Sequence, residues 1–246
     1  MTEPSDGSVA DGLPERDPLA DLVSRSVGRR VEHVDVEVLD PWPEHVERKR
    51  LRFTTDAGQS SAIFQRSGRG IVTEAQLLPF LARKTQHVPI VHSRGLPPPH
   101  ATFGPWLLLE DVFAASGACD GDPVEILRAK FEVERAVKAD VPAMRALGLR
   151  VSERLAPVLA SAPLTLVHGY LRCDRAFVLP RGVVIAGWAF AHLGPAVVDV
   201  VSLSNSLTAA GDARAAERVR EFYIGQSGDA EAPARLAEAE RVIVVQ

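Results

Sequence analysis

The sequence predicts an α+β fold made of a small strand-rich N-terminal part and a larger, mainly helical C-terminal part. Three observations carry this reading. Apolar residues alternate with charged ones between positions 31 and 65. A helical period dominates after position 123, and a β-rich stretch from Leu164 to Ala186 interrupts it.

The first 17 residues are rich in Asp, Glu, Ser, Gly and Pro, which predicts a disordered tail. Leu19, Leu22 and Val23 carry a short helical pattern that Gly28 is placed to end. Val34, Val36 and Val38 alternate with acidic residues and predict a half-exposed strand over 31–39, broken by Asp40, Pro41, Trp42 and Pro43. Leu51 and Phe53 begin a second strand. The turn from Asp56 to Gln59 returns the chain as a third over Ser61–Gln65, forming a hairpin. Leu77, Leu78 and Leu81 predict a helix over 73–84, which Pro79 kinks or shortens. Val88 to Val91 reads as loop, as do Pro97, Pro98 and Pro99, and Trp106–Leu109 reads as a short apolar strand. Helices are expected at 123–136, 141–160, 197–209, 211–224 and 229–242. Two short strands, Ala176–Leu179 and Val183–Ala186, flank a Pro-Arg-Gly turn. The resulting organisation is a tail (1–17), an N-terminal lobe (18–111) and a helical C-terminal lobe (112–246).

Composition narrows the function classes. The chain has 246 residues, 46% of them hydrophobic and 24% charged, enough to bury a core without metals or disulfides. The net charge of −4 lacks the basic footprint of a nucleic-acid binder, and Glu44 and Glu47 dilute the cluster Arg48, Lys49, Arg50 and Arg52. The apolar stretch Val183–Leu203 contains Gly187, His192, Gly194, Pro195 and Asp199 and is too interrupted to span a membrane. No secretory signal pattern opens the sequence, so a cytoplasmic protein is expected, with no nucleic-acid and no membrane partner. Cys119 and Cys173 are the only cysteines. They form no CxxC or Cys/His cluster, so neither a disulfide framework nor a metal site is expected. Cys173 lies close to Arg172 and Arg175, which would lower the pKa of a free thiol. The wealth of Arg and Ala suggests a GC-rich bacterial genome.

The run Leu166 to Leu171 (LVHGYL), the run Ile185 to Pro195 (IAGWAFAHLGP) and Asp199 together resemble the core signature of the aminoglycoside/choline-kinase-type phosphotransferases. In that family an apolar strand leads into His-Gly-Asp-Leu with an Asn shortly after, and a hairpin then leads to Ile-Asp-Trp-Glu. His168, Gly169, Leu171, Trp188, Phe190, Gly194, Pro195 and Asp199 fall where this pattern puts them. Upstream, Glu74 matches the helix glutamate, Pro89 the proline after that helix, and Leu107–Glu110 the strand joining the lobes. The resemblance covers roughly 31–225 and implies a two-lobed protein-kinase-like fold.

Phosphoryl transfer from ATP rests on positioning and charge neutralisation. It needs a carboxylate to orient the attacking hydroxyl, an Asn and an Asp for the metal ions, a Lys on the phosphates and a Gly-rich covering loop. The resemblance places Tyr170 at the catalytic Asp, Arg175 at the metal-binding Asn and Gly187 at the metal-binding Asp. A phenol is neutral at pH 7 and a poor Mg²⁺ ligand. The Lys post falls on Gln65, or on Arg66 with a one-residue slip. No Gly-rich turn lies between Val38 and Leu51.

These losses make the chain a degenerate member of the family, a pseudokinase that binds a protein, peptide or small-molecule ligand in the former substrate cleft. Gln65, Glu74 and Glu110 remain as candidate cofactor contacts, and His168, Arg172 and Arg175 as candidate ligand contacts. No metal ligands are assigned, and ATP with Mg²⁺ enters only if activity is retained. The alternative is an active phosphotransferase with relocated chemistry. Asp174 would then be the substitute base or metal ligand, and a small-molecule hydroxyl or a peptide Ser/Thr the acceptor. Without a lysine partner, Glu74 is expected to be a solvated helix charge or to pair with Arg66. His168 and Asp199 are expected to be structural, and Trp188 to pack beneath the loop.

Overall fold

The computed structural model describes residues 17–39, 46–67, 73–96, 104–117, 119, 121–152 and 157–243. Residues 1–16 of the tail expected over 1–17, the Asp40-Pro-Trp-Pro segment and Pro97–Pro99 lie outside the described residues.

The N-terminal half is one antiparallel sheet with a helix on either face. Its strands are β1 (Val34–Leu39), β2 (Val46–Thr55), β3 (Gly58–Ser67), β4 (Val91–Gly95) and β5 (Trp106–Glu110), in the order β1-β2-β3-β5-β4. Helix α1 (Pro18–Val27) starts where the Asp17 side chain accepts the Leu19 N–H at 2.9 Å. It stops at Gly28, whose φ of 68° suits glycine. Asp17 thus belongs to the folded unit. The α1 residues Ala20 and Val23 pack on Val34, Leu51, Phe53, Ala62 and Leu108 across one face of the sheet. Because strand side chains alternate, Ile63, Leu107 and Leu109 point the other way. They meet Leu77, Leu78 and Leu81 of α2 (Thr73–Leu81) and join the main core.

Past Glu110 the chain crosses a 3₁₀ turn (Val112–Ala114) and the two-residue strand β6 (Ser116–Gly117) into the helical half. Its elements are α3 (Val124–Val137), α4 (Val141–Ala146), α5 (Pro157–Ala160), α6 (Val197–Ala209), α7 (Ala213–Ser227) and α8 (Ala232–Ile243). Strand β7 (Thr165–Val167) pairs with β10 (His192–Gly194), while β8 (Ala176–Leu179) and β9 (Gly182–Ile185) form a hairpin flanked by β6. The architecture is the two-lobed, kinase-like α+β arrangement.

Three expectations are corrected. The helix expected over 141–160 is divided, because Leu147 ends α4 and Gly148 takes a φ of 92°. From there Val151 bridges to Leu193. The segment read as loop after Val88 becomes β4, an edge strand with a register shift between Val91 and Ser93. Cys119 and Cys173 are joined in a disulfide across 54 residues, so Cys173 is no reactive thiol. Cysteine spacing alone does not show which side chains a fold brings within bonding distance.

Candidate functional site

The loop from His168 to Arg175 is held from beneath by charges that see no solvent. Asp199 of α6 accepts the His168 N–H at 2.7 Å and the Gly169 N–H at 3.0 Å. The Lys130 ammonium of α3 lies 3.0 Å from the same carboxylate and 2.6 Å from Glu134, and donates to the Leu166 carbonyl at 2.6 Å. Burial opposes the charge on Lys130, but the Glu134 and Asp199 carboxylates outweigh it and raise the pKa. Gly169 has a φ of 82°, and a Cβ there would sit 2.4 Å from the Phe190 carbonyl oxygen, so glycine is required.

His168 has no exposed surface. Its Nε2 lies 3.0 Å from the Ala186 carbonyl oxygen and its Nδ1 accepts the Tyr170 N–H at 3.3 Å, a pairing that fits the neutral Nε2–H tautomer. Its ring meets Trp188 edge-on at 4.7 Å. With both nitrogens engaged it supports the loop and does not face a ligand. Burial lowers its pKa from the usual 6.5 to about 4. Below pH 6.5 the unfolded chain takes up a proton that the folded chain refuses until about pH 4. Stability is therefore lost between those limits, by about 3 kcal/mol in all. Urea unfolding between pH 7 and 4.5 should show this loss, and His168→Asn should flatten it. Equal pH slopes in the two proteins would refute it.

The three posts inherited from the resemblance lie around this loop. Gly187, at a φ of 83°, carries no side chain, and the Arg175 stem lies beside it: Arg175 Cδ is 3.3 Å from where a Cβ on Gly187 would be. The Tyr170 hydroxyl accepts a hydrogen bond from Arg172 at 3.1 Å, with the guanidinium 5.1 Å from the phenol ring centre. Phe190 lies 6.1 Å from the same ring. Asp174 is more than half exposed, 3.5 Å from both Arg172 and Arg175.

Across the cleft, Gln65 faces inward on β3 while Arg66 points outward to Glu47. Glu74 is neither solvated nor paired with Arg66, as the sequence suggested. It is 1% exposed, accepting from Gln65 Nε2 at 2.5 Å and from the Trp188 N–H at 2.8 Å. Gln65 in turn accepts from Arg48 Nε at 3.0 Å. A neutral amide thus stands between a cation on β2 and an anion on α2. Burial raises the Glu74 pKa, with Arg48, Gln65, Trp188 and Arg175 pulling against it. Burial likewise lowers that of Arg48.

Arg48 was not identified from sequence. Its signal was the pairing of β2 with β3, which sets Arg48 opposite Gln65. Two positions along β2, Arg50 joins Glu37 at 3.2 Å to Asp111 at 2.7 Å, and Ser61 also donates to Asp111 at 2.7 Å. The side of the sheet facing the helical half therefore carries mutually paired polar groups. Glu110 is not gathered with Gln65 and Glu74. Its carboxylate is bound to Arg181 of the β8–β9 turn and to the Ile90 N–H.

At the three posts, Tyr170, Arg175 and Gly187 offer no carboxylate to a metal ion. Arg175 stands against Gly187, and the positive charges of Arg48 and Arg175 both act on the buried Glu74 carboxylate. Among the described residues no group of His, Cys, Asp and Glu side chains is placed to hold a metal ion.

No protein-family model matches the chain, and neither does any curated protein sequence. Solved structures do. A mutant of aminoglycoside 2'-phosphotransferase-IIIa in complex with GDP aligns at a TM-score of 0.57 and 13% identity, over 91% of this chain and 86% of its own. The type VIII aminoglycoside-3'-phosphotransferase gives 0.57 and 18%, over 84% and 92%. Aminoglycoside phosphotransferase APH(3'')-Id from Streptomyces rimosus gives 0.54 and 15%, over 92% and 97%. Identities this low speak for shape and not for chemistry. The chain has the fold of the aminoglycoside phosphotransferases.

Proposed function

We propose that this phosphotransferase-like protein is a pseudokinase. It has given up metal-dependent phosphoryl transfer and acts by binding a protein, peptide or small-molecule ligand in the former substrate cleft. The observation that carries the reading is the Arg175 stem packed over Gly187. A divalent ion about 4 Å from a guanidinium, at an effective dielectric near 20, is repelled by on the order of 8 kcal/mol. Gln65, standing at the post of the phosphate-gripping lysine and tied between Arg48 and Glu74, supports the same reading.

Thermal unfolding with ATP or GTP at millimolar concentration, each with and without Mg²⁺, tests the proposal. The expected result is no Mg²⁺-dependent rise in Tm, since a ligand of the native state must raise it by mass action. A Mg²⁺-dependent rise, with phosphate transfer to an amino-alcohol, aminoglycoside or peptide that Asp174→Asn abolishes, would instead establish the phosphotransferase with relocated chemistry.

No helix among the described residues is long and apolar enough to cross a membrane. The sequence suggests a cytoplasmic placement, and the Cys119–Cys173 bond counts against it, since such bonds are rare in reducing compartments. Alkylation and mass spectrometry of the protein taken from cells would read its redox state.

A further inference from the structure

We infer that a second binding site, for an extended acidic peptide segment, lies in the groove between β4, the end of α2 and α3. The groove has a volume of about 1120 Å³. Arg83, Lys84, Arg94, Arg135 and Arg181 line it, against Glu132 as the one carboxylate. With Asp140 and Glu110, which pair with Lys84 and Arg181, counted beside Glu132, five cations against three anions leave +2 on one surface of a chain whose net charge is −4.

The cations fall into two groups. Lys84 is paired with Asp140 at 3.2 Å and Arg181 with Glu110, while Glu132 is taken by His87 at 2.6 Å. Arg83, Arg94 and Arg135 are exposed, and among the described residues their side chains make no ion pair or hydrogen bond. Three such guanidiniums on three elements around one groove repel one another, an arrangement an anionic occupant would relieve. Each offers a planar fork suited to a carboxylate.

Two features favour a peptide over a nucleic acid. No Phe, Tyr or Trp lines the groove, so bases would find no stacking surface. Strand β4 is the outer strand of its sheet, and no described strand pairs with its free edge. An extended peptide can add there through its backbone. Exposed Ile90, half-buried Val91 and the aliphatic Pro79 offer contact for apolar side chains between the arginines. In an extended chain alternate residues share one face. The occupant this surface fits has acidic residues at every second position.

The test is fluorescence anisotropy on the full chain with a labelled peptide of alternating Glu and Val, about eight residues long. Controls are the alternating Lys and Val peptide and single-stranded DNA of similar length. The Glu peptide should bind, weaken as salt screens the charges, and lose about tenfold or more in affinity in the triple variant Arg83→Glu, Arg94→Glu, Arg135→Glu. These residues are exposed, so the Tm should hold; if the triple variant does not fold, Arg135→Glu alone and the salt titration read the same site. No binding of the Glu peptide, unchanged binding by the variant, or tighter binding of DNA would each overturn the inference. None of these outcomes depends on whether the cleft accepts a nucleotide.

Discussion

Asp199→Ala should lower the unfolding free energy by about 4 kcal/mol, the scale for removing one partner of a buried ion pair. Two costs combine. The His168 and Gly169 N–H groups, which Asp199 accepts at 2.7 and 3.0 Å, lose their acceptor in a region closed to water. Lys130, with no exposed surface, keeps only Glu134 and the Leu166 carbonyl as partners. If the second cost is real, Lys130→Met should be milder in the Asp199→Ala background than in the wild type. Urea unfolding of the two single variants and the double variant closes that cycle. A loss below about 1 kcal/mol for Asp199→Ala would mean that the loop is supported from elsewhere.

Reducing the Cys119–Cys173 bond should cost a similar amount. Closing a loop across 54 residues restricts the unfolded chain by about 4 kcal/mol in the chain-entropy picture. Cys119→Ala with Cys173→Ala should therefore unfold at lower urea than the oxidised wild type, and reductant should shift the wild type and leave the double variant unmoved. Two thiols titrating in the native, air-oxidised protein would show that the bond does not form. The bond joins the 3₁₀ turn of Cys173–Arg175 to the segment ahead of α3, so its loss is felt next to Arg175.

The sequence made some of this legible and not the rest, for physical reasons. The helix expected over 197–209 is α6 at those limits, because its apolar residues keep a helical period and Gly194 and Pro195 precede it. The alternation of Val34, Val36 and Val38 reveals β1 because a half-exposed strand writes its period into the sequence. Strand β4 leaves no such trace. Its residues Val91, His92, Ser93, Arg94 and Gly95 have one apolar member, and pairing with β5 forms the strand. Gly148 sits inside a helical sequence pattern, and only its positive φ shows the break. At the site, the replaced posts could be read one at a time from a motif. The links between them could not. That Arg48 reaches Gln65, that Gln65 reaches Glu74, and that Arg175 lies against Gly187 are facts of register and packing across up to 17 positions.

The chain of contacts from Arg48 through Gln65 to Glu74 and the Trp188 N–H also bears on how such a protein could change. Gln65→Lys alone would set a second cation beside Arg48 with one carboxylate between them. Gly187→Asp alone would drive a side chain into the Arg175 stem at a position of positive φ. Each single step back towards the motif is uphill until several others have been taken. The proposed pseudokinase reading therefore makes the residues of this cleft mutually dependent, so that changing one of them alone towards the motif carries a cost.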